Sequence, residues 1–258
     1  MRPTDILRAL FVLSGAIAQV VMGAVPFALG WETTVADRSA EAEVFLTPAG
    51  YAFSIWGLLF IGCGIYALVH LVRMTNPAMR ATGWLAGLAF WFNTAWESWV
   101  PFFGIEAVSL ALIAAGWLSC VAFMLLSSRN GDVGVFSRAT RLPVYALGGW
   151  LNAAAFVNVL ITAEGLGVPW LGSGETAPAL AVLGAATACA LFVVMRTGSV
   201  SYAAALGWGL IAIWSANALR NEPLLIGQAA LLCVGIVAVG VLAGWAGRIR
   251  AAQQRPQT

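Results

Sequence analysis

The sequence predicts an all-α, polytopic membrane protein, and three observations support this prediction. Of the 258 residues, 61% are apolar and only 9% are charged, whereas a soluble domain typically carries about 25% charged residues. The apolar residues form runs near 20 residues long, which match the ~30 Å hydrocarbon core at 1.5 Å rise per residue. Alternating segments typical of a membrane β-barrel are not found. Helices that satisfy their own backbone hydrogen bonds are therefore expected.

Eight apolar runs are interpreted as membrane-spanning helices. They cover residues 7–29, 50–73, 80–100, 105–127, 140–163, 177–196, 199–217 and 223–246. The first run is longer than the roughly 7–15 residues of a signal-peptide core, so we expect it to be retained as a span. The sixth and seventh runs are separated only by residues 196–199, which requires a very tight hairpin. Without that hairpin the count falls to seven.

The arginines predict the orientation of the chain. There is no lysine, so arginine alone carries the positive-inside signal. With the N-terminus inside, the outer segments contain only Arg38 and Arg220. The inner segments contain Arg2, Arg8, Arg73, Arg80, Arg129, Arg138, Arg141, Arg196, Arg248, Arg250 and Arg255. This bias predicts a multi-pass protein of the cell inner (cytoplasmic) membrane with both termini in the cytoplasm.

Several function classes are disfavoured by composition. The net charge of +2 is too small to indicate a nucleic-acid partner. The four cysteines lie inside apolar runs without CxxC spacing, so neither a metal site nor a disulfide framework is expected. His70 is the only histidine, and we expect a structural role for it near the interface. No catalytic residues are predicted, and an enzyme acting on a porphyrin is the weakest interpretation.

Three predicted helices carry aromatic residues and amides at helical spacing. In the second, Phe53 and Trp56 are three residues apart and share a face. In the third, Asn93 and Trp96 lie one turn apart. The fifth carries a stripe at positions i, i+4 and i+8, formed by Trp150, Ala154 and Asn158.

These stripes allow two interpretations. An asparagine within a span needs a partner, and several indoles facing small residues and an amide would form a slot for a flat apolar ligand. Alternatively, the tryptophans are interface anchors and the asparagines join helices to one another. Spacing alone does not decide between the two.

The same three motifs resemble the TspO/MBR translocator protein family, also called tryptophan-rich sensory protein. The segment from Pro48 to Trp56 is similar to the proline-rich start and aromatic-Phe-x-x-Trp motif of that family's second helix. Residues 93–96 are similar to the Asn-x-x-Trp motif of its third helix. In the fifth helix the family has Pro and Tyr, then Trp, small residues and Asn, matched here by residues 143–158. Order and spacing agree over residues 7–163.

The resemblance implies a five-helix bundle that binds porphyrins, sterols and related flat ligands between its helices. It implies a TspO-like bundle over residues 1–165, with a three-helix transmembrane extension over 166–258. The residues that would line or support the pocket are Phe53, Trp56, Asn93, Trp96, Trp150, Ala154 and Asn158. The family's sterol motif and its first-loop Trp-Tyr and Lys-Pro elements are absent here, so sterol binding receives little weight.

Two segments near the predicted pocket are open to more than one interpretation. The outer loop over residues 31–48 is either a lid on the pocket or a solvated connector. Glu97 and Glu106 are expected to be solvated at the outer headgroup level, and the alternative is a role at the mouth of the pocket or in proton coupling.

The functional prediction is a membrane protein that binds, transports or senses a flat apolar ligand such as a porphyrin or another tetrapyrrole, with no cofactor required. The alternative is a structural or accessory subunit that docks another membrane protein or a pigment complex. The expected partners are the lipid bilayer and the ligand, with a homodimer or a membrane-protein partner as further candidates. The G-x-x-x-G patterns at Gly83 and Gly240 permit close helix contacts, either within the bundle or in such a dimer.

Overall fold

The computed structural model describes residues 2–31, 33–42, 44–129, 139–168, 176–220 and 223–253. Within these residues all regular secondary structure is helical, which confirms the predicted fold class. The helices are α1 (Pro3–Leu29), α2 (Val35–Glu41), α3 (Ile55–Val72), α4 (Pro77–Phe103), α5 (Ala107–Arg129), α6 (Leu142–Gly165), α7 (Thr176–Thr197), α8 (Val200–Leu219) and α9 (Leu224–Gln253), and a 3-10 turn at Gly50–Ser54 leads into α3. The arginines at 138 and 255, used for the orientation, lie outside the described residues.

Seven helices of the described chain are long and apolar enough to cross a membrane, so the protein is a multi-pass membrane protein. The long helix outside this set is α4, which is less apolar because it carries polar side chains such as Asn93 and Glu97. It is nevertheless 27 residues long, about 40 Å. Arg80 near its start binds Asp5 at the start of α1, and the Pro101 carbonyl near its end accepts a hydrogen bond from Thr33, beyond the end of α1. α4 therefore extends alongside α1 for the full length of the bundle.

The hairpin required between the sixth and seventh runs is present. α7 ends at Thr197 and α8 begins at Val200, with Gly198 in the left-handed conformation at φ 58°. The Ser199 hydroxyl accepts the N–H of Tyr202 and caps α8. α9 covers this turn, because the Trp245 indole N–H donates to the Gly198 carbonyl at 2.8 Å and Arg248 donates to the Thr197 carbonyl.

Gly198→Ala is expected to destabilise the protein through this turn. The left-handed conformation alone costs a non-glycine residue roughly 1–2 kcal/mol, and a Cβ here would also overlap the Arg248 guanidinium. Gly167→Ala is the matched control, since Gly167 has φ 66° and no atom within 4 Å of an added Cβ. Unfolding by sodium dodecyl sulfate in mixed micelles should show a larger loss of unfolding free energy for Gly198→Ala than for Gly167→Ala. Equal losses of stability in Gly198→Ala and Gly167→Ala would mean that the contacts between α9 and this turn contribute nothing to stability.

The last three helices pack directly on the first part of the chain. α8 lies against α6, and α9 lies between α7 and α8. Trp208 of α8 donates its indole N–H to the Ala52 carbonyl at 2.9 Å, and the Asn217 amide donates to the Phe45 carbonyl at 2.9 Å. The division at residue 165 stays a prediction, but extensive contacts cross it.

A buried ionic network joins α1, α3 and α4 at the end of the bundle where α1 starts. Asp5 is 1% exposed and binds the guanidinium groups of Arg8 at 3.0 Å and Arg80 at 2.6 Å. The Nε of Arg8 donates to Nε2 of His70 at 3.3 Å, and Arg8 also donates to the Met74 carbonyl. His70 is fully buried, and its contacts fit the expected structural role.

The two G-x-x-x-G patterns pack inside the bundle. Gly83 and Gly87 of α4 lie against side chains of α1 and α3, and Gly240 and Gly244 of α9 lie against α7. These glycines therefore serve contacts within one chain, and a homodimer stays a prediction.

Candidate functional site

The structure brings together the aromatic residues predicted from three separate segments. The ring centroid of Trp56 on α3 is 6.5 Å from that of Trp96 on α4 and 5.8 Å from that of Trp150 on α6. Phe53, in the 3-10 turn before α3, meets Trp150 edge to face at 6.0 Å. Such edge-to-face and offset contacts are the favoured arrangements of aromatic pairs. The four rings thus form one cluster between the helices.

Asn158 holds this cluster together from one side. Its Oδ1 accepts the indole N–H of Trp96 and the hydroxyl of Ser109, both at 3.4 Å. Its Nδ2 donates to the carbonyl of Ala154 at 2.8 Å, one turn back on α6. Because the side chain is 3% exposed and bonded through both amide atoms, it fixes the orientation of the Trp96 ring.

A first cavity, here called the tryptophan pocket, opens beside the cluster with an empty volume of about 450 Å³, part of it open to the outside. Five predicted residues line it: Phe53, Trp96, Trp150, Ala154 and Asn158. The other lining residues are Val35, Ser39, Pro48, Ile105, Ala153, Val157, Gly209 and Ile213. Its walls are therefore mostly apolar. The indole nitrogen of Trp150, one of these lining residues, is buried without a hydrogen-bond partner among the described residues.

A second cavity, here called the lid pocket, adjoins the first and has an empty volume of about 570 Å³, part of it open to the outside. It is lined by Met22, Gly23, Pro26, Thr34, Val35, Ala36, Phe53, Trp56, Phe60 and Glu97. Val35 and Phe53 line both cavities. The structure thus divides the predicted site, because Trp56 belongs to the lid pocket and Trp150 to the tryptophan pocket.

Asn93 lines neither of these two pockets. It is 1% exposed, and its Nδ2 donates to Glu97 Oε1 at 3.1 Å and to Gln19 Oε1 at 3.3 Å. Its place is therefore behind the wall of the lid pocket, where it positions the Glu97 carboxyl group.

The expectation that Glu97 is solvated at headgroup level is wrong. Glu97 is 5% exposed and lines the lid pocket, as the alternative interpretation proposed. The reason is that α4 continues to Phe103, nearly two helical turns beyond Glu97. The side chain also faces α1, where it shares Asn93 with Gln19.

Glu106 is a hydrogen-bonded carboxylate at the start of α5. It is partly exposed, and the backbone N–H groups of Val108 and Ser109 bind its carboxylate at 2.9 and 3.1 Å. The Trp99 indole N–H adds a bond of 2.7 Å. These donors lower the pKa of Glu106, the Val108 N–H most strongly.

The outer loop packs over both cavities. Val35 of α2 lines both, and Ser39 is buried against the tryptophan pocket. Arg38 fastens α2 to α4 by donating to the Pro101 carbonyl from Nε at 3.3 Å and Nη2 at 3.1 Å. This arrangement matches the lid interpretation, because a solvated connector would not bury these side chains. Two of the loop's acids, at positions 32 and 43, lie outside the described residues.

The start of the lid is fixed by a capping box. The N–H and hydroxyl of Thr34 donate to the carboxylate of Asp37 at 2.8 and 2.7 Å. The Thr34 hydroxyl bond, followed by its N–H bond, lowers the pKa of Asp37, so this carboxylate stays ionised at neutral pH. Among the described residues, no cluster of three or more His, Cys, Asp and Glu side chains is placed to hold a metal ion.

Sequence reasoning missed the contribution of α8. Gly209 and Ile213 of this helix complete the wall of the tryptophan pocket, and Gln19 of α1 supports Asn93. None of the three belongs to a recognisable motif. Gly209 has a physical role, since an added Cβ would lie 3.1 Å from Ala153 Cβ and 3.6 Å from the Trp150 ring.

Comparison with known proteins supports the resemblance. The family model described as TSPO-like protein matches residues 6–243. No curated protein and no solved structure matches the chain. The family match begins in α1 and ends in α9, so it includes the last three helices as well as the first five. The chain therefore belongs to the TSPO-like protein family.

Proposed function

We propose that this protein binds a flat apolar ligand, such as a porphyrin or another tetrapyrrole, in the tryptophan pocket. The observation that supports this most directly is the buried indole N–H of Trp150, which has no partner in a wall that is otherwise mostly apolar. An unsatisfied buried donor costs about 1–3 kcal/mol. A ligand carbonyl or carboxylate accepting this N–H would remove that cost.

The binding mode follows from the geometry of the pocket. A flat ligand contacts the rings of Trp96 and Trp150, and each aromatic contact adds about 0.5–1.5 kcal/mol beyond area burial. Asn158 acts on the ligand indirectly, because it holds the Trp96 ring.

Binding, followed by transport or sensing, is a better proposal than catalysis. The polar side chains among the described lining residues of the tryptophan pocket are Ser39, Asn158 and the Trp indoles. None of them is an acid or base that titrates near neutral pH. This favours a pocket that holds its ligand without transforming it.

We also propose that all eight long helices cross the inner membrane, with both termini in the cytoplasm. α4 is included because it connects the same two ends of the bundle as α1. The buried network of Arg8 and Arg80 then lies at the cytoplasmic end, as the positive-inside rule requires. The lid and both pockets lie at the outer end.

The test is a titration of protoporphyrin IX into the protein in nanodiscs, followed by the shift of the porphyrin absorption band. Wild type should bind with micromolar affinity. The double variant Trp96→Leu, Trp150→Leu should bind roughly ten- to hundredfold more weakly, because both aromatic contacts of the tryptophan pocket are lost. Trp84→Leu is the control, since Trp84 is 44% exposed and lines neither pocket.

Unchanged binding by the double variant would show that the site is assigned wrongly. Absence of binding by wild type, together with co-purification of a stable membrane-protein partner, would favour the accessory-subunit interpretation instead.

A further inference from the structure

The lid pocket contains a carboxyl group that a flat apolar ligand does not explain. Glu97 lines this cavity and is 5% exposed. Its Oε1 accepts the Asn93 amide at 3.1 Å, whereas its Oε2 is buried with no hydrogen-bond partner among the described residues. A buried carboxylate without a matching positive charge is strongly unfavourable. Without such a charge the carboxyl group stays neutral, and a cation bound at Oε2 would stabilise the ionised form, whose proton is released to solvent.

The surroundings of Glu97 supply further acceptors and no cation. None of the described residues lining the lid pocket is arginine, lysine or histidine. Pro26 and Pro101 lie inside α1 and α4, and proline has no N–H. The carbonyls four residues earlier, those of Met22 and Glu97, therefore lack their usual helical donors. The Thr34 hydroxyl is already used, because it donates to Asp37.

Aromatic rings form another part of the lid pocket wall. Trp56 and Phe60 are one turn apart on α3, with ring centroids 5.3 Å apart and planes inclined by 26°. Phe53 adds a third ring. The faces of aromatic rings attract cations, most strongly for tryptophan. The Asp37 carboxylate, on the same short helix as the lining residues Val35 and Ala36, adds negative charge at the lid.

We propose that the lid pocket binds a ligand bearing a protonated amine, with the ammonium group between Glu97 Oε2 and the aromatic wall of Trp56 and Phe60. The apolar body of the ligand extends under α2 towards Phe53. This site is distinct from the tryptophan pocket, with which it shares only Val35 and Phe53 among the lining residues. It therefore adds a second ligand class to the proposed tetrapyrrole.

The test compares an amine with a neutral molecule of the same shape. Wild-type protein in nanodiscs is titrated calorimetrically with 4-phenylbutylamine and with 4-phenylbutanol, and empty nanodiscs correct for partitioning into lipid. A buried charge-assisted contact predicts that wild type binds the amine at least about tenfold more tightly than the alcohol. Glu97→Gln should lose this preference while its affinity for the alcohol stays unchanged.

Two further variants keep the test decisive. Glu106→Gln is the matched control, because it removes a carboxylate from the same end of the bundle but outside the pocket, and it should keep the full preference. Phe60→Leu keeps Glu97 and removes one ring, so the preference should fall by roughly two- to fivefold. Near-UV circular dichroism checks that each variant is folded.

Equal affinity of wild type for amine and alcohol, or an undiminished preference in folded Glu97→Gln, would overturn the proposal. Protoporphyrin IX binding is measured on the same samples and should be unchanged in Glu97→Gln. If wild type prefers the amine but does not bind protoporphyrin IX, only the proposed ligand of the tryptophan pocket is contradicted, and the amine site stands.

Discussion

Replacing Gly149 with alanine is expected to lower the free energy of unfolding by about 3 kcal/mol, the upper end for an overpacked core. The reason is that α6 and α8 touch backbone to backbone at this residue. A Cβ on Gly149 would overlap the carbonyl oxygen of Tyr202 and would lie 3.0 Å from its Cα. A backbone cannot rotate away as a flexible side chain can, so the two helices would have to separate.

Ligand binding should fall together with stability in this variant. α8 contributes Gly209 and Ile213 to the tryptophan pocket, and Gly149 immediately precedes Trp150. The matched control is Gly64→Ala in α3, where an added Cβ meets no atom within 4 Å, and alanine should be neutral or stabilising by up to about 1 kcal/mol. Unfolding in mixed micelles and the porphyrin titration provide the two measurements. Similar stabilities for the two variants would show that α6 and α8 are not in close contact.

Asp5→Ala should destabilise the protein clearly, because removal of one partner of an ion pair leaves the other charge uncompensated. Asp5 is 1% exposed and binds two arginines, of which Arg8 is itself 3% exposed. The variant leaves the Arg8 guanidinium buried with only the Met74 carbonyl and His70 as partners. It also removes the bond from the Arg2 N–H to the Asp5 carboxylate at the start of α1.

The control for Asp5→Ala is Glu41→Gln, which breaks the ion pair with Arg38 on the lid. There the side chains are 30% and 54% exposed, and a pair exposed to this degree contributes about 0–1 kcal/mol. Both variants are compared by unfolding in mixed micelles. A loss for Asp5→Ala no larger than that for Glu41→Gln would mean that water reaches the network and solvates Arg8.

Much of the site was predictable because motif spacing specifies which residues share a helix face. Trp150, Ala154 and Asn158 were predicted as one stripe, and all three line the tryptophan pocket. Phe53 and Trp96 join them there. Spacing does not specify which helix a face meets, so the separation of Trp56 into the lid pocket and the place of Asn93 behind Glu97 required the tertiary structure.

Glu97 illustrates the same limit. A glutamate seven residues before a glycine turn suggests a solvated helix end when only the local sequence is considered. Its burial depends on α1, whose Gln19 shares the Asn93 amide, and on α2, which packs over the opening. Both helices are distant from Glu97 in sequence, so no local sequence pattern predicts that they pack against it.

The sequence by itself determined the helical membrane fold, the position of every long helix and the hairpin at Gly198. Hydropathy and turn chemistry are local properties, and the bilayer requires each span to satisfy its own backbone. Only the tertiary structure decided that α8 closes the tryptophan pocket and that a second cavity is lined by a buried carboxyl group, one oxygen of which has no partner among the described residues. Those features arise from contacts between helices. Such contacts depend on side-chain shape and on the pairing of buried polar groups, which hydropathy does not predict.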